Sequence, residues 1–189
     1  MSAGKPLDRQ PVLHGERVML RALEPGDWSA LFAVASDPRI WAMHPFHDRW
    51  QEPVFRRFFD DALASGGALL ASDAASGEVI GSSRYDAYDG SGGGSVEIGW
   101  TFLSPTCWGQ GHNREMKALM VGHALQSVRL VEFRVGETNW RSRRAMEKVG
   151  ARLAPSRRQV TRQGDREFVH VYYEIDRESF AAGPLCRLR

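Results

Sequence analysis

The sequence lacks the features that mark several classes of protein. Only two cysteines, Cys107 and Cys186, occur among 189 residues, too few for a disulfide scaffold or a multi-cysteine zinc site. No apolar run approaches the roughly 20 residues that cross a bilayer. The first ten residues are polar and lack the apolar core of a secretory signal. We therefore expect a cytoplasmic protein that has no membrane partner and no metal.

The composition lacks a strong charge of either sign. The net charge is +2, hydrophobic residues make up 42% and charged residues 25%, all close to the values of globular domains. Locally, residues 129–167 carry eleven Lys or Arg against five Asp or Glu. This excess indicates either a solvated basic face or a surface for a polyanion, such as nucleic acid or a phosphorylated cofactor.

Hydrophobic periodicity and turn residues predict alternating helices and strands in the order β-α-α-β-β-β-α-β-α-β-β. Such mixing indicates an α/β or α+β domain with a mixed sheet. We expect one domain over residues 1–189, with a loose arm at 1–14, a final hairpin that turns at 163–165 and a C-terminal tail at 176–189. Helices are predicted over 28–35, 52–64, 113–127 and 139–149, and strands over 17–23, 68–73, 79–88, 96–102, 131–135, around 160 and over 168–175.

The segment from residue 97 to residue 115 is the most informative. A strand runs into a loop that holds Gly109 and Gly111, and the loop runs into an amphipathic helix. The unpaired N–H groups and the dipole at a helix N-terminus suit a diphosphate. A plain strand-to-helix turn is the alternative. The loop matches neither GxGxxG nor GxxxxGK[ST].

These residues resemble the cofactor-binding core of the GNAT N-acetyltransferase superfamily. In the motif [Q/R]-x-x-G-x-[G/A], Gly111 matches, whereas Trp108 and Asn113 depart from the pattern. The Trp-Gly-x-Gly form, followed by Asn-x-Glu, is similar to the branch that contains ribosomal-protein N-terminal acetyltransferases. A second stretch, from Asn139 to Gly150, resembles the family's Asn-x-x-[A/S] helix that ends in Glu-Lys-x-Gly. The resemblance covers roughly residues 15–175.

The resemblance implies a mixed, twisted sheet that is splayed open at its middle, is flanked by helices and binds acetyl-CoA in the splay. It implies direct transfer, in a ternary complex, of an acetyl group from acetyl-CoA to a primary amine on a protein N-terminus or a small molecule. The cofactor-binding residues implied are Ile98, Trp100, Phe102, Trp108, Gly109, Gln110, Gly111, His112, Asn113, Arg114, Asn139 and Ser142.

Two catalytic roles also follow from the resemblance. Glu97 would be the general base, and a buried strand position should raise its pKa. Met146 stands where the family often has a Tyr acid, so Ser142 would protonate the leaving thiolate. A backbone N–H near Trp100 would stabilise the oxyanion. The alternatives are a half-exposed strand Glu97 and ordinary helix-capping roles for Asn139 and Ser142.

The aromatic segment 41–50 is expected to line the acceptor end of the site, through Trp41, His44, Phe46 and Trp50. Core packing explains these aromatic residues about as well. His44 and His47 lack the further ligands of a metal site.

Two other classes of function stay open. The departures at Trp108, Asn113 and Met146 are compatible with a catalytically degenerate CoA-binding module. A basic nucleic-acid-binding domain is the less favoured alternative, since no recognition motif supports it, and no nucleic-acid partner is expected. Exposed strand edges make a homodimer plausible.

Overall fold

A computed structural model describes residues 6–44, 46–163 and 166–188. This part of the chain forms a sheet of eight strands in the order β1-β2-β3-β4-β5-β6-β8-β7. Neighbouring strands are antiparallel except β5 and β6, which are parallel. The strands are β1 (Leu13–His14), β2 (Val18–Ala22), β3 (Ala68–Asp73), β4 (Val79–Asp89), β5 (Ser95–Leu103), β6 (Leu130–Gly136), β7 (Arg152–Gln163) and β8 (Arg166–Asp176).

Helices flank this sheet and confirm the expected mixed α/β class. Two short helices, α2 and α6, and the two-residue strand β1 add to the predicted order. The helices are α1 (Trp28–Ala35), α2 (Pro38–Trp41), α3 (Glu52–Ala64), α4 (His112–Ala124), α5 (Trp140–Lys148) and α6 (Arg177–Ala182).

The expected loose arm is wrong for its described part. Leu7 is buried in the core, and Leu13 pairs with Leu20 across β1 and β2. Apolar burial and strand pairing therefore hold residues 6–14 against the sheet. The C-terminal segment is also ordered, because α6 begins in a capping box at Asp176 and Leu185 is buried. Residues 1–5 and the hairpin turn at 164–165 lie outside the described residues.

The buried hydrophobic side chains form two clusters, one on each face of the sheet. Strand side chains alternate between faces, so Ala68 and Leu70 contact the aromatic cluster of α1, α2 and α3, whereas Leu69 and Ala71 contact the cluster around α4. The sheet is thus covered on both faces. Space for a ligand within the sheet arises where two neighbouring strands diverge.

That opening lies between β5 and β6. The two strands pair only from Ser95↔Leu130 to Glu97↔Glu132 and then diverge. Beyond Glu97, β5 also bulges: its pairing with β4 jumps from Arg84↔Gly99 to Ser82↔Phe102. Trp100 has a φ of +52°, which few residues other than Gly adopt without strain. The divergence and the bulge leave backbone groups of both strands available to a ligand.

Candidate active site

A cleft of about 830 Å³ occupies the space where β5 and β6 diverge. It extends from the α4 N-terminus and α5 to the aromatic segment 41–50. Most of the residues expected in the site line it together. These are Glu97, Ile98, Trp100, Phe102, Trp108, Gly109, Gly111, Asn113, Arg114, Asn139 and Ser142, with Trp41, His44 and Phe46 at the other end.

Three of the expected residues do not line the cleft. The Gln110 side chain donates to the Thr106 carbonyl. The His112 ring is buried and faces Asp73, with its Nε2 3.4 Å from a carboxylate oxygen. Trp50 is 42% exposed and lies outside the lining. For these three the sequence placed the backbone in the right region, but side-chain direction depends on contacts distant in sequence.

The glycine loop offers free backbone donors at one end of the cleft. Gly109 and Gly111 have φ values of +76° and +92°, so the chain turns sharply into α4. In the described structure the N–H groups of residues 111–114 have no hydrogen-bond acceptor, and no side chain caps the helix. Four such donors at a positive helix end fit a diphosphate. The Trp108 ring, with the Arg141 guanidinium 4.7 Å from its centroid, flanks the loop.

A single carboxylate of α4 fixes this helix end against the sheet. Glu115 is buried, and its carboxylate accepts from the backbone N–H groups of Glu16, Arg17 and Val18 at 3.2, 2.7 and 2.8 Å. Charge-assisted bonds of this kind are among the strongest in proteins. The donors at the start of α4 are therefore held in place by a contact almost 100 residues apart in sequence.

The first turn of α5 borders the same cleft. Asn139 caps the helix, since its side-chain oxygen accepts from the Ser142 N–H at 3.1 Å. Its NH₂ group stays available for a ligand, so capping and ligand contact are compatible. Ser142 lines the cleft, and so does the buried Met146.

Glu97 lies where the sheet begins to open. Its side chain is buried, and the Arg134 Nε donates to it at 3.2 Å. Burial raises the pKa of Glu97, and the Arg134 charge opposes part of that rise. The half-exposed alternative is therefore wrong, because Glu97 lies on a strand between β4 and β6 and contacts Arg134 of β6. A carboxylate with a raised pKa at the edge of a cleft suits a general base.

Several charged groups of the cleft went unrecognised in the sequence. Arg49, Arg134 and His170 line it. Arg49 belongs to the aromatic segment 41–50 that was expected at the acceptor end, but no local pattern marked these three side chains themselves.

Lys117 is also buried, and its Nζ donates to Thr101 Oγ1 at 2.8 Å. Burial lowers the pKa of Lys117 to about 7. Because α4 is covered on several sides, its hydrophobic periodicity does not indicate whether position 117 is buried or exposed.

The basic segment 129–167 divides between ion pairs on the sheet and cations in the cleft. Five of its eleven basic residues pair with carboxylates, in the pairs Arg134–Glu97, Arg152–Asp176, Arg157–Glu132, Arg158–Glu137 and Arg162–Glu167. Three others, Arg141, Arg144 and Lys148, line the cleft. The solvated-face interpretation therefore fits the paired arginines, whereas the cleft-lining cations fit a phosphorylated cofactor.

Comparison with known proteins identifies the family. The sequence model of the acetyltransferase (GNAT) domain matches residues 17–152. The chain belongs to the GNAT acetyltransferase family. The matched region includes Glu97, the glycine loop and α5, so the cleft lies within the family's domain.

Solved structures of GNAT proteins share this fold. A GCN5-related N-acetyltransferase from Brucella melitensis superposes with a TM-score of 0.81 at 22% identity, over 96% of this chain and 85% of that one. A GNAT-family protein from Chromobacterium violaceum gives 0.80 at 22% identity, over 95% and 92%. A spermidine N-acetyltransferase from Vibrio cholerae, solved with CoA and spermine, gives 0.65 at 14% identity, over 87% and 98%. The membership of the ribosomal-protein branch stays a prediction.

None of the described helices is long and apolar enough to cross a bilayer. Within 6–44, 46–163 and 166–188, no group of three or more His, Cys, Asp or Glu side chains is placed to hold a metal ion.

Proposed function

We propose that this protein is an N-acetyltransferase that moves an acetyl group from acetyl-CoA to a primary amine on a small molecule or a protein N-terminus. One observation carries the proposal: a single cleft joins free helix N-terminal amides at one end to a buried carboxylate and an aromatic wall at the other. A GNAT fold accounts for both ends, since one suits a diphosphate and the other an amine.

Residues at the diphosphate end would hold the cofactor. The N–H groups at the start of α4 would bind the pyrophosphate, and the free edge of β5 from Ile98 to Phe102 would pair with the pantetheine amides. Asn139 would contact the pantetheine arm through its NH₂ group, and Arg114 would meet a phosphate. Acetyl-CoA supplies the thioester whose carbonyl carbon the acceptor attacks.

Glu97 and Ser142 would move the protons. Glu97 takes one proton from the acceptor ammonium, directly or through water, and later releases it to solvent. The amine nitrogen then forms the new C–N bond as the C–S bond breaks. The nitrogen's second proton reaches the thiolate sulfur through the Ser142 hydroxyl, so the step consumes no other reactant. A backbone N–H at the Trp100 bulge would stabilise the oxyanion.

The experiment is a thiol-release assay with acetyl-CoA and a panel of primary amines. We expect amine-dependent turnover that Glu97→Gln lowers by about 10²–10⁴-fold, the range of general-base catalysis, without a comparable loss of acetyl-CoA affinity. Ser142→Ala should lower kcat with little change in acceptor KM. Glu137→Gln is the matched control, because Glu137 pairs with Arg158 away from the cleft.

Other outcomes distinguish the alternatives. Acetyl-CoA binding without turnover on any amine would contradict the proposal and support a degenerate CoA-binding module. Binding to nucleic acid that falls steeply with salt, in the absence of acetyl-CoA binding, would support the nucleic-acid alternative instead.

A further inference from the structure

The charges of the cleft separate into two groups. Among the described residues, Glu97 is the single carboxylate that lines it. Four of the lining cations, Arg114, Arg141, Arg144 and Lys148, belong to the start of α4 or to α5, where a phosphorylated cofactor accounts for them. The other three are Arg49, Lys117 and Arg134, and the proposed cofactor phosphates do not account for these.

Arg49 is the cation that most needs a partner. Its guanidinium carbon lies 4.7 Å from the ring centroid of Phe58, 4.9 Å from that of Phe46 and 5.6 Å from that of Trp41. Its Nη1 lies 3.3 Å from the His44 Nε2.

No described carboxylate lies within ion-pair distance of Arg49, and the charge of Asp48 acts on it only from farther away. Burial and the neighbouring Arg84 lower the pKa of Arg49 to about 10, so the group stays charged at neutral pH. An unpaired charge in an aromatic pocket is costly.

Arg84 adds a second positive charge behind the same wall. It is 5% exposed, and among the described residues its Nε and Nη2 have no hydrogen-bond partner. Its guanidinium carbon lies 4.7 Å from the Trp100 ring centroid, and its Nη1 is 3.5 Å from Asp86. Asp86 and the more distant Asp61 both act on this charge, so Arg84 is a partly compensated cation next to Trp100.

Neighbouring groups do not supply the missing negative charge. His44 accepts from the Phe46 N–H, and burial together with Arg49 lowers the pKa of His44 to about 3, so it is neutral. Among the described residues, the buried His170 Nδ1 has no hydrogen-bond partner. The Glu97 carboxylate is already bonded to Arg134. This end of the cleft therefore offers one carboxylate, Glu97, and the Arg49 cation, with which no described carboxylate pairs.

The acceptor end is bordered by a contact between two elements of the fold. The Phe46 ring lies 5.4 Å from that of Phe168, so the aromatic segment contacts the β7–β8 hairpin. Two elements that flank this end thus meet each other, which favours a compact molecule over an extended polypeptide.

We propose that the acceptor is a small primary amine that also carries a carboxylate or phosphate group, and that Arg49 binds this group. The inference rests on the proposed function and narrows it. The planar guanidinium suits the two oxygens of such an anion. Arg49 and Glu97 line the same cleft, so one acceptor would place its anionic group at Arg49 and its amine at Glu97. A polyamine would instead place a second cation against Arg49.

The test compares acceptors that differ only in the anionic group. α-Amino acids are paired with the amines that lack their carboxylate, such as phenylalanine with phenethylamine, and phosphoethanolamine is paired with ethanolamine. Spermidine is the polycation. Each is assayed for kcat/KM with acetyl-CoA and, separately, for thermal stabilisation of the protein saturated with CoA. The variants are Arg49→Met, Arg49→Lys and the control Arg57→Met, on the exposed side of α3.

We expect at least one carboxylate or phosphate amine to exceed its anion-free partner by about tenfold or more in kcat/KM, the value of one charge-assisted hydrogen bond. Arg49→Met should remove that preference, mainly through KM, Arg49→Lys should retain part of it, and Arg57→Met should leave it intact. The acceptor pair that shows this Arg49-dependent preference identifies whether the bound group is a carboxylate or a phosphate.

Preferred turnover of the anion-free amines or of spermidine would overturn the inference while leaving the proposed function standing. If acetyl-CoA binds but no amine is acetylated, the proposed function fails, and the stabilisation data decide the inference alone. Arg49-dependent stabilisation by the anionic amines would then support it, and equal stabilisation by both members of each pair would refute it.

Discussion

At the scale of single residues, the cleft is defined by charges buried where water would ordinarily surround them. Two effects on the ionisation of Glu97 oppose each other: burial disfavours the ionised form, and the Arg134 charge favours it. Among the residues that the structure describes, the Thr101 hydroxyl is the one hydrogen-bond partner of the Lys117 ammonium. Both arrangements predict pH effects whose sign follows from the physical cause.

Arg134→Met should move the pH dependence of the reaction. A general base works in its ionised form, so activity falls as pH falls through the pKa of Glu97, which lies above the ordinary 4.5. Removing the Arg134 charge raises this pKa further, and the acidic limb of kcat/KM should move up by about one pH unit.

The check is a pH–rate profile of the wild type, Arg134→Met and Arg158→Met. The last variant breaks an ion pair with Glu137 outside the cleft and should leave the limb in place. An acidic limb that does not move in Arg134→Met would remove Glu97 from the role of base.

Lys117→Met should stabilise the protein near neutral pH. The folded pKa of Lys117 is about 7, below the ordinary 10.5, so between these values the unfolded chain binds more protons and stability rises with pH. The cost of burying Lys117 is complete below about pH 7 and vanishes above the unfolded pKa. The stabilisation by Lys117→Met should therefore be largest near pH 7 and shrink toward about pH 10.

Urea unfolding at the two ends of that range measures this effect, with the exposed Lys148→Met as the control. Because Thr101 keeps its hydrogen bond with the Ser83 hydroxyl, the substitution leaves no orphaned partner. A loss of stability in Lys117→Met at neutral pH would show that the ammonium has a partner that stabilises its charge.

At the scale of the elements, the attachment of α4 to the sheet decides where the diphosphate donors lie. Glu115 accepts three backbone N–H groups from the chain that enters β2. Glu115→Gln should lower the free energy of unfolding by about 2–3 kcal/mol. The glutamine amide carries no negative charge, and its NH₂ group would face backbone N–H groups that are themselves donors.

Affinity for acetyl-CoA should fall in the same variant, because the start of α4 would shift relative to β5. Urea unfolding and calorimetric titration measure the two effects, with the exposed Glu78→Gln as the control. Unchanged stability in Glu115→Gln would contradict the account of how this helix is held.

The elements themselves were more predictable from the sequence than the site. The bounds of α1 and α3 were predicted as the structure has them, because Pro53, Ser36 and the Ser65-Gly66 pair act locally. Asp27, the residue before α1, does not cap this helix with its side chain. Its carboxylate instead accepts from the Arg21 guanidinium at 2.7 and 2.9 Å. The bulge at Trp100 and the contact of the Arg49 guanidinium with the Phe58 ring depend on residues from separate elements. No local sequence pattern therefore predicts them.

At the scale of the whole molecule, a nearly neutral protein has one cleft in which cations outnumber carboxylates. The net charge is +2, whereas seven Lys or Arg side chains and one carboxylate line the cleft among the described residues. The cleft retains positive charge at both ends, one end suited to cofactor phosphates and the other to an anionic acceptor. The single domain and the homodimer expected from the sequence stay predictions.

The central claim, that the glycine loop and the start of α4 hold acetyl-CoA, is tested by one matched pair of variants. Gly109 and Gly77 have almost the same φ, +76° and +75°, and a Cβ at either would meet no atom within 4 Å. Glutamate should therefore strain both positions equally, but only Gly109 lines the cleft.

Calorimetric titration of acetyl-CoA into the wild type, Gly109→Glu and Gly77→Glu is the measurement we would make. We predict that the wild type and Gly77→Glu bind alike, and that Gly109→Glu binds at least about tenfold more weakly, because its carboxylate repels the diphosphate. Equal affinity in all three proteins, or no binding by the wild type, would contradict the account.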